Sequence, residues 1–230
     1  MAHFAYTSPP VANPFSIISP QFCAHTYLVE LAIVKKVKTI TDGKFVVQDM
    51  NVNIHFKLKI KKSSSGRVLI NSAGNPIVTP REKILTAHER WQVFRGDSTG
   101  SRNLIFSVKR SSMLQSITKP KLTVFLANNT EENVCDFKVT GNGLERSSVI
   151  YAGESSIVVA QLHMKQIAQN LLNGKGSFMV RVNPNVDYAF IVSLIVILDA
   201  IYSGVSNEDE DDDHDHVFLD LVLGVFGIPG

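Results

Sequence analysis

Hydrophobic and polar positions alternate in short runs along most of this chain. Ile54, Phe56, Leu58 and Ile60 fall on one side of a period of two, and Asn53, His55, Lys57, Lys59 and Lys61 on the other. Leu104, Phe106 and Val108 oppose Asn103, Ser107 and Lys109 in the same way, and Phe178, Val180 and Val182 oppose Ser177 and Arg181. A two-residue period separates a buried from a solvated strand face, and one wet face suits antiparallel pairing. Turn signals punctuate the runs at short intervals, among them Asp42-Gly43, Asn51, Ala73-Gly74-Asn75-Pro76, Gly96 to Gly100 and Gly141-Asn142-Gly143. This spacing predicts about a dozen short strands. Lys165 to Leu172 reads equally as a short helix or a strand end.

One segment breaks the pattern. Between Asp187 and Asp199 the chain runs through eleven uncharged residues, most of them large and apolar. A surface helix would carry a polar stripe, and a membrane span needs roughly 20 apolar residues, so neither description fits. A helix wrapped by the strands does fit. Closing the sheet removes its edges, and a wide enough barrel holds a helix inside. The expected fold is therefore mainly β, a closed antiparallel barrel of about twelve strands around a hydrophobic C-terminal α-helix. The expected organisation is a loose Pro- and Ser-rich leader over 1–21, one domain over 22–202 with its helix near 186–201, and a tail over 203–230.

Composition changes this picture in one respect. A 44% hydrophobic fraction supplies a sizeable core, and the overall charge is only +2. That small value hides an asymmetry. Residues 1–206 hold all 23 Lys and Arg against 13 Asp and Glu, a net +10, and residues 207–230 hold eight acids and no base. A body this basic attracts phosphates, on lipid head groups or on nucleic acid. The acidic run from Glu208 to His216 reads first as a solvated tail, with masking of the basic body as the alternative. Cys23 and Cys135 lie far apart, which argues against a disulfide scaffold and against a thiolate zinc site. Met1 to Pro20 lacks the basic and apolar regions of a secretory signal, so a cytoplasmic protein with reduced thiols is expected, peripheral at the plasma membrane or nuclear.

The residues that could carry chemistry are basic. Lys57, Lys59 and Lys61 occupy alternate positions of one strand, about 7 Å apart, with Lys62 beside them. Lysine is a flexible point charge suited to phosphate, although a lysine row also serves as an ordinary solvated strand face. Lys35, Lys36 and Lys38 form a second cluster, and Lys109 and Arg110 a third. Nucleic acid is the weaker partner, because single-strand binders interleave aromatics among their basic positions and this outward face has none. Trp91, between Arg90 and Arg95, is expected in the core. No Gly-x-Ser-x-Gly elbow and no phosphate-cradling glycine loop occurs, and the histidines before the tail are scattered singly. Cys135 alternates with Phe137 and Val139 and reads as a packed thiol. Asp187 suits the start of the helix electrostatically, whereas Asp199 does not suit its end and calls for a partner such as an arginine. No enzyme, cofactor or metal site is expected.

Several motifs together resemble one family. They are Trp91-Gln92-Val93-Phe94-Arg95-Gly96, Val108 to Gln115, Cys135-Asp136-Phe137-Lys138-Val139, Leu144 to Val149, Tyr151-Ala152-Gly153-Glu154 and Asn183 to Phe190. In order and spacing they are similar to the LURP-one-related family of plant proteins, over roughly residues 22–202. The resemblance implies a tubby-like fold, a barrel of about twelve strands around a buried helix, which agrees with the reading above. By fold it also implies kinship with tubby proteins, which tether to membrane phosphoinositides, and with phospholipid scramblases. The family itself is linked to plant defence. The implied function is a non-enzymatic, phosphoinositide-dependent membrane tether in signalling or defence; the resemblance assigns no pocket residues, and the charge pattern alone offers Lys57, Lys59, Lys61, Lys62, Lys109 and Arg110 for anionic head groups. The alternative is a protein-interaction or transcription-associated adaptor that binds signalling proteins and no lipid; lipid scrambling is more remote. The chain departs from the family at Val52, where a turn glycine is usual and a distorted hairpin is expected. Pro80 replaces an apolar strand residue, which points to an edge or bulge. Residues 204–230 extend past the usual end.

Overall fold

The computed structural model describes residues 15–35, 45–60, 66–83, 90–110, 121–142, 147–164 and 178–204. Lys61, Lys62, the segment from Lys165 to Leu172 and the tail after Gly204 lie outside these residues. Twelve strands form one closed barrel: β1 (Val29–Lys35), β2 (Phe45–Asp49), β3 (Ile54–Ile60), β4 (Arg67–Asn71), β5 (Pro76–Lys83), β6 (Arg90–Arg95), β7 (Leu104–Arg110), β8 (Lys121–Leu126), β9 (Phe137–Asn142), β10 (Ser147–Ala152), β11 (Val158–Met164) and β12 (Phe178–Val182). Each pairs antiparallel with its neighbours in sequence, and β12 closes on β1 through Val29 opposite Val182 and Ile33 opposite Phe178. A closed order leaves no unpaired edge.

Helix α1 (Tyr188–Gly204) fills the barrel. It starts two residues later and runs further than the sequence suggested, because Asp187 stands outside the helix as its cap. From Ala189 to Val192 and from Leu194 to Leu198 every side chain is nearly or wholly buried, packed against Phe106, Phe137, Val93 and the other inward residues of the strands. Phe190 meets Phe106 and Phe137 with ring centroids 5.1 and 4.8 Å apart. A helix apolar on every side is stable only in such a place. Ser193, the one polar residue mid-helix, donates its hydroxyl to the Ala189 carbonyl at 2.7 Å.

The helix begins at the rim where β1 starts and β12 ends, here the near rim, and finishes at the far rim. Asp187 organises the near rim. Its carboxylate accepts from the backbone N–H of Ile18 at 2.7 Å, Ser19 at 2.9 Å and Phe190 at 3.1 Å. Burial pushes the Asp187 carboxyl above its ordinary value, against those donors. The leader is therefore not loose over its whole length. Phe15 bridges to Val186 and Cys23 to Asp187, Ile18 is buried in the core, and Arg95 donates to the Ile18 carbonyl at 2.7 Å. The local composition of 15–21 reads as linker, but Ile18 supplies apolar surface, and Ile18 and Ser19 each supply one backbone donor that closes the barrel end.

At the far rim, Asp199 lies within electrostatic reach of Arg67, the arginine partner its position called for. Burial lowers the Arg67 pKa, opposed by the charges of Asp199 and Glu82. The guanidinium stacks over Trp91 at 5.4 Å from the ring centroid, and Trp91 is a core residue. Beside Asp199 a cavity of about 20 Å³ is lined by Ile33, Phe45, Leu162, Phe178, Ile195 and Leu198. That is room for one water.

One local expectation needs correction and another is met. Ile54 and Ile60 are 40% and 44% exposed, not core. The register explains Ile54: Val47 faces Phe56 but Gln48 faces Ile54, so His55 is an extra residue that turns Ile54 to the outer wall. Ile60 ends β3 at the far rim. Pro80 pairs in register with Val93 of β6, while on its β4 side it stands at a local edge, as its ring demands. It is tolerated because the β4–β5 ladder is paired only through Val78 and Pro76, leaving no partner for the missing N–H. The bulge of that ladder lies between Leu69 and Ile70.

Candidate binding surface

The outer wall of β3 carries Lys57 and Lys59, because Phe56 and Leu58, which alternate with them, are buried in the core with the helix. The register sets Lys57 between Val46 of β2 and Ile70 of β4, and Lys59 beside Val68. Those three neighbours are apolar residues of the outer wall, and a lysine stem covers such surface while its ammonium group stays in water. Lys59 is exposed and Lys57 half-buried. Neither makes an ion pair among the described residues.

Other described cations are largely committed. Lys138 pairs with Glu154 at 2.8 Å, and Arg181 pairs with Glu30 at 2.8 Å. Arg90 and Lys109 both bind the Glu132 carboxylate, whose segment folds back over β6 and β7. Burial pushes the Glu132 carboxyl upward, but hydrogen bonds from Lys109 and Arg90 hold it below its ordinary value. Glu132 also has a left-handed backbone, φ 52°, which for a glutamate is uncommon. The Lys109 ammonium lies 5.2 Å from the Phe125 ring centroid.

The third basic cluster does not merge with the β3 lysines. β3 and β7 are separated by β4, β5 and β6, so Lys109 and Arg110 stand about 19 Å around the wall from the β3 lysines at ordinary strand spacing. Lys35 ends β1, two strands from β3 on the opposite side; Lys36 and Lys38 lie outside the described residues. The structure thus reduces the described part of the basic face to Lys57 and Lys59. Nothing in the local sequence marks Glu132 as the partner of Lys109, because the contact depends on how the segment after β8 folds.

Both thiols are free and buried. Burial pushes Cys23 and Cys135 up to about 11, and Cys135 donates to Glu154 Oε1 at 3.0 Å. No three His, Cys, Asp or Glu residues among those described are placed to hold a metal ion. No described helix is long and apolar enough to cross a membrane.

The sequence reading missed the near rim beside β3. Asp49 closes the β2–β3 turn by accepting from the backbone N–H of Asn51 and Asn53, both at 2.9 Å, and from Asn53 Nδ2. These bonds, the Asn53 side chain first, hold the Asp49 carboxyl below its ordinary value. Val52 at the tip has φ 66°, a left-handed conformation that a β-branched residue rarely takes. The hairpin expected to be distorted at Val52 thus closes with full hydrogen bonding, and its strain sits on one residue. Apolar residues on either side of Asn51 and Asn53 were the available signal.

A sequence profile described as LURP-one-related matches residues 29–199 of this chain. Protein LURP-one-related 15 of Arabidopsis thaliana is 52% identical over 196 residues, covering 84% of this chain and 87% of that protein. Protein LURP-one-related 10 of the same plant is 53% identical over 188 residues, covering 81% and 96%. Protein LURP1 is 48% identical over 188 residues, covering 81% and 89%. An X-ray structure of an Arabidopsis thaliana protein superposes with a TM-score of 0.62 at 44% identity, covering 80% of this chain and 97% of that one.

Proposed function

The chain belongs to the LURP-one-related family, and on that premise we propose that its barrel is a non-catalytic tether for anionic, phosphoinositide-bearing membranes at the cytosolic face. The observation that carries this reading is the state of the β3 lysines. Lys109 and Arg90 share Glu132, Lys138 pairs with Glu154 and Arg181 with Glu30, whereas Lys57 and Lys59 project from the outer wall without an acidic partner among the described residues. Lys61 and Lys62 follow directly in the sequence. Lysines near an anionic bilayer contribute about 1 kcal/mol each. A role in signalling or defence is what the family resemblance adds. With the helix serving as the core of the barrel, lipid scrambling by that helix would require the fold to open.

The test is co-sedimentation of the full chain with phosphatidylcholine vesicles, with and without phosphatidylinositol bisphosphate. Binding is expected only with the phosphoinositide, and it should weaken as salt rises. Lys57→Ala with Lys59→Ala should weaken it by roughly thirtyfold, two lysines at about 1 kcal/mol each. Equal binding to both vesicle types, or none to either, rejects the tether and leaves a protein-binding adaptor as the better reading.

A further inference from the structure

Eight large apolar side chains are exposed among the described residues: Tyr27, Leu28, Met50, Val52, Ile54, Ile60, Val134 and Ile157. All but Ile60 stand at the near rim, and five of those seven belong to two adjoining segments. Leu31 pairs with Asp49, so the residues just before β1 lie beside the β2–β3 turn. Tyr27 and Leu28 are 65% and 42% exposed there, next to Met50 at 51%, Val52 at 49% and Ile54 at 40%. The bulge at His55 is what brings Ile54 onto the outer wall, the same wall that carries Lys57 and Lys59. An apolar tip and a lysine pair thus share one side of the barrel. Ile54 and Lys57 are about 10 Å apart along the strand.

Contiguous exposed apolar surface marks a place where something binds. Two features say what. Acidic groups at the tip are internally engaged: Glu30 is paired with Arg181 at 2.8 Å, and Asp49 holds Asn51, Asn53 and His55. The adjoining charge is therefore that of Lys57, which has no acidic partner among the described residues. An exposed tyrosine and aliphatic side chains in front of lysines match the layered chemistry of a bilayer surface, acyl boundary first and phosphates behind. The turn is also held in a shape that presents a valine where the backbone favours glycine, and strain of this kind gathers at functional positions.

We infer that Tyr27, Leu28, Met50, Val52 and Ile54 form an apolar tip that enters the interface of an anionic bilayer while Lys57 and Lys59 take its phosphates. The inference rests on the tether reading above and supplies its salt-resistant half. The barrel docks on the β1–β3 side of its near rim, tilted so that the outer wall of β3 faces the head groups.

The full chain carrying Met50→Ser, Val52→Gly and Ile54→Thr tests this on phosphatidylcholine vesicles containing phosphatidylinositol bisphosphate. Binding should fall about tenfold or more, and the part that survives high salt should disappear. The urea midpoint of this variant, measured alongside, separates lost contact from lost fold. In a second variant, Val52→Trp, fluorescence should be quenched by brominated acyl chains, while the native Trp91 is buried and supplies a constant background. Wild-type binding by the triple variant, or an unquenched Trp at position 52, overturns the insertion and leaves the tether standing if the lysine variants still lose binding. If the lysine variants also bind like wild type, the tether itself is gone. If the triple variant instead converts a dimer in sedimentation velocity to a monomer with no change in lipid binding, the tip is a contact between copies and the lipid reading is wrong.

Discussion

Replacing Asp187 with alanine should be among the costliest single polar substitutions in this protein. The carboxylate is fully buried and accepts from Ile18, Ser19 and Phe190, so its removal strands three backbone donors. Ile18 and Phe190 are buried, and Ser19 is partly open to solvent. Each buried donor left without a partner costs about 1–3 kcal/mol, and a lost helix cap about 0.5–2 kcal/mol. Part of this returns, because the buried charge itself was unfavourable, as the raised pKa records. The net expectation is a loss of about 3 kcal/mol, or a melting temperature lower by about 6–12 °C for a domain of this size. Asp187→Asn keeps one acceptor and should cost roughly half. The sign with pH is also fixed. Folding favours the protonated acid, so this contribution is fully present below the ordinary value of 3.8 and is lost as pH rises through the higher folded value. Urea unfolding followed by the single tryptophan measures both variants, with an unchanged m-value marking loss of stability rather than of cooperativity. A loss below about 1 kcal/mol for the alanine variant would refute the assignment of Asp187 as the joint between leader and helix.

Val52→Gly should raise stability by about 0.5–1 kcal/mol, because relief of a left-handed valine outweighs the extra freedom of glycine in the unfolded chain; a lower urea midpoint would contradict this. Glu132→Gln should lower stability by about 1–2 kcal/mol at neutral pH, since Lys109 and Arg90 lose a shared, largely sheltered partner. Its lowered pKa makes the wild-type contribution present above the ordinary 4.5 and lost as pH falls through the folded value, so the two proteins should converge in acid unfolding curves.

What could be read from the sequence was what depends on neighbouring residues. The alternation of Phe56 and Leu58 with Lys57 and Lys59 marks a strand with one wet face. The uncharged run after Asp187 marks a helix with no wet face at all. Together these demand a closed sheet around a helix, and that is the fold. The misses depend on contacts distant in sequence or on one inserted residue. A single extra residue at His55 turns Ile54 outward, and no period-of-two count detects it. Ile18 reads as part of a linker until its N–H meets Asp187, 169 positions away. Lys109 looks like a free cation until Glu132 arrives from the segment after β8. The basic face was thus legible as a strand pattern at β3, but the pairing of Lys109 with Glu132 was not.

Hydrogen exchange on the full chain, with and without phosphoinositide-containing vesicles, tests the central claim most directly. Amides from Phe190 to Leu198 should be among the slowest in both conditions, and those from Asp49 to Lys57 should slow when vesicles are added. Faster exchange in the helix on vesicles would mean that the barrel opens at the membrane. An unchanged hairpin in a sample that binds lipid would mean that the protein docks through another face.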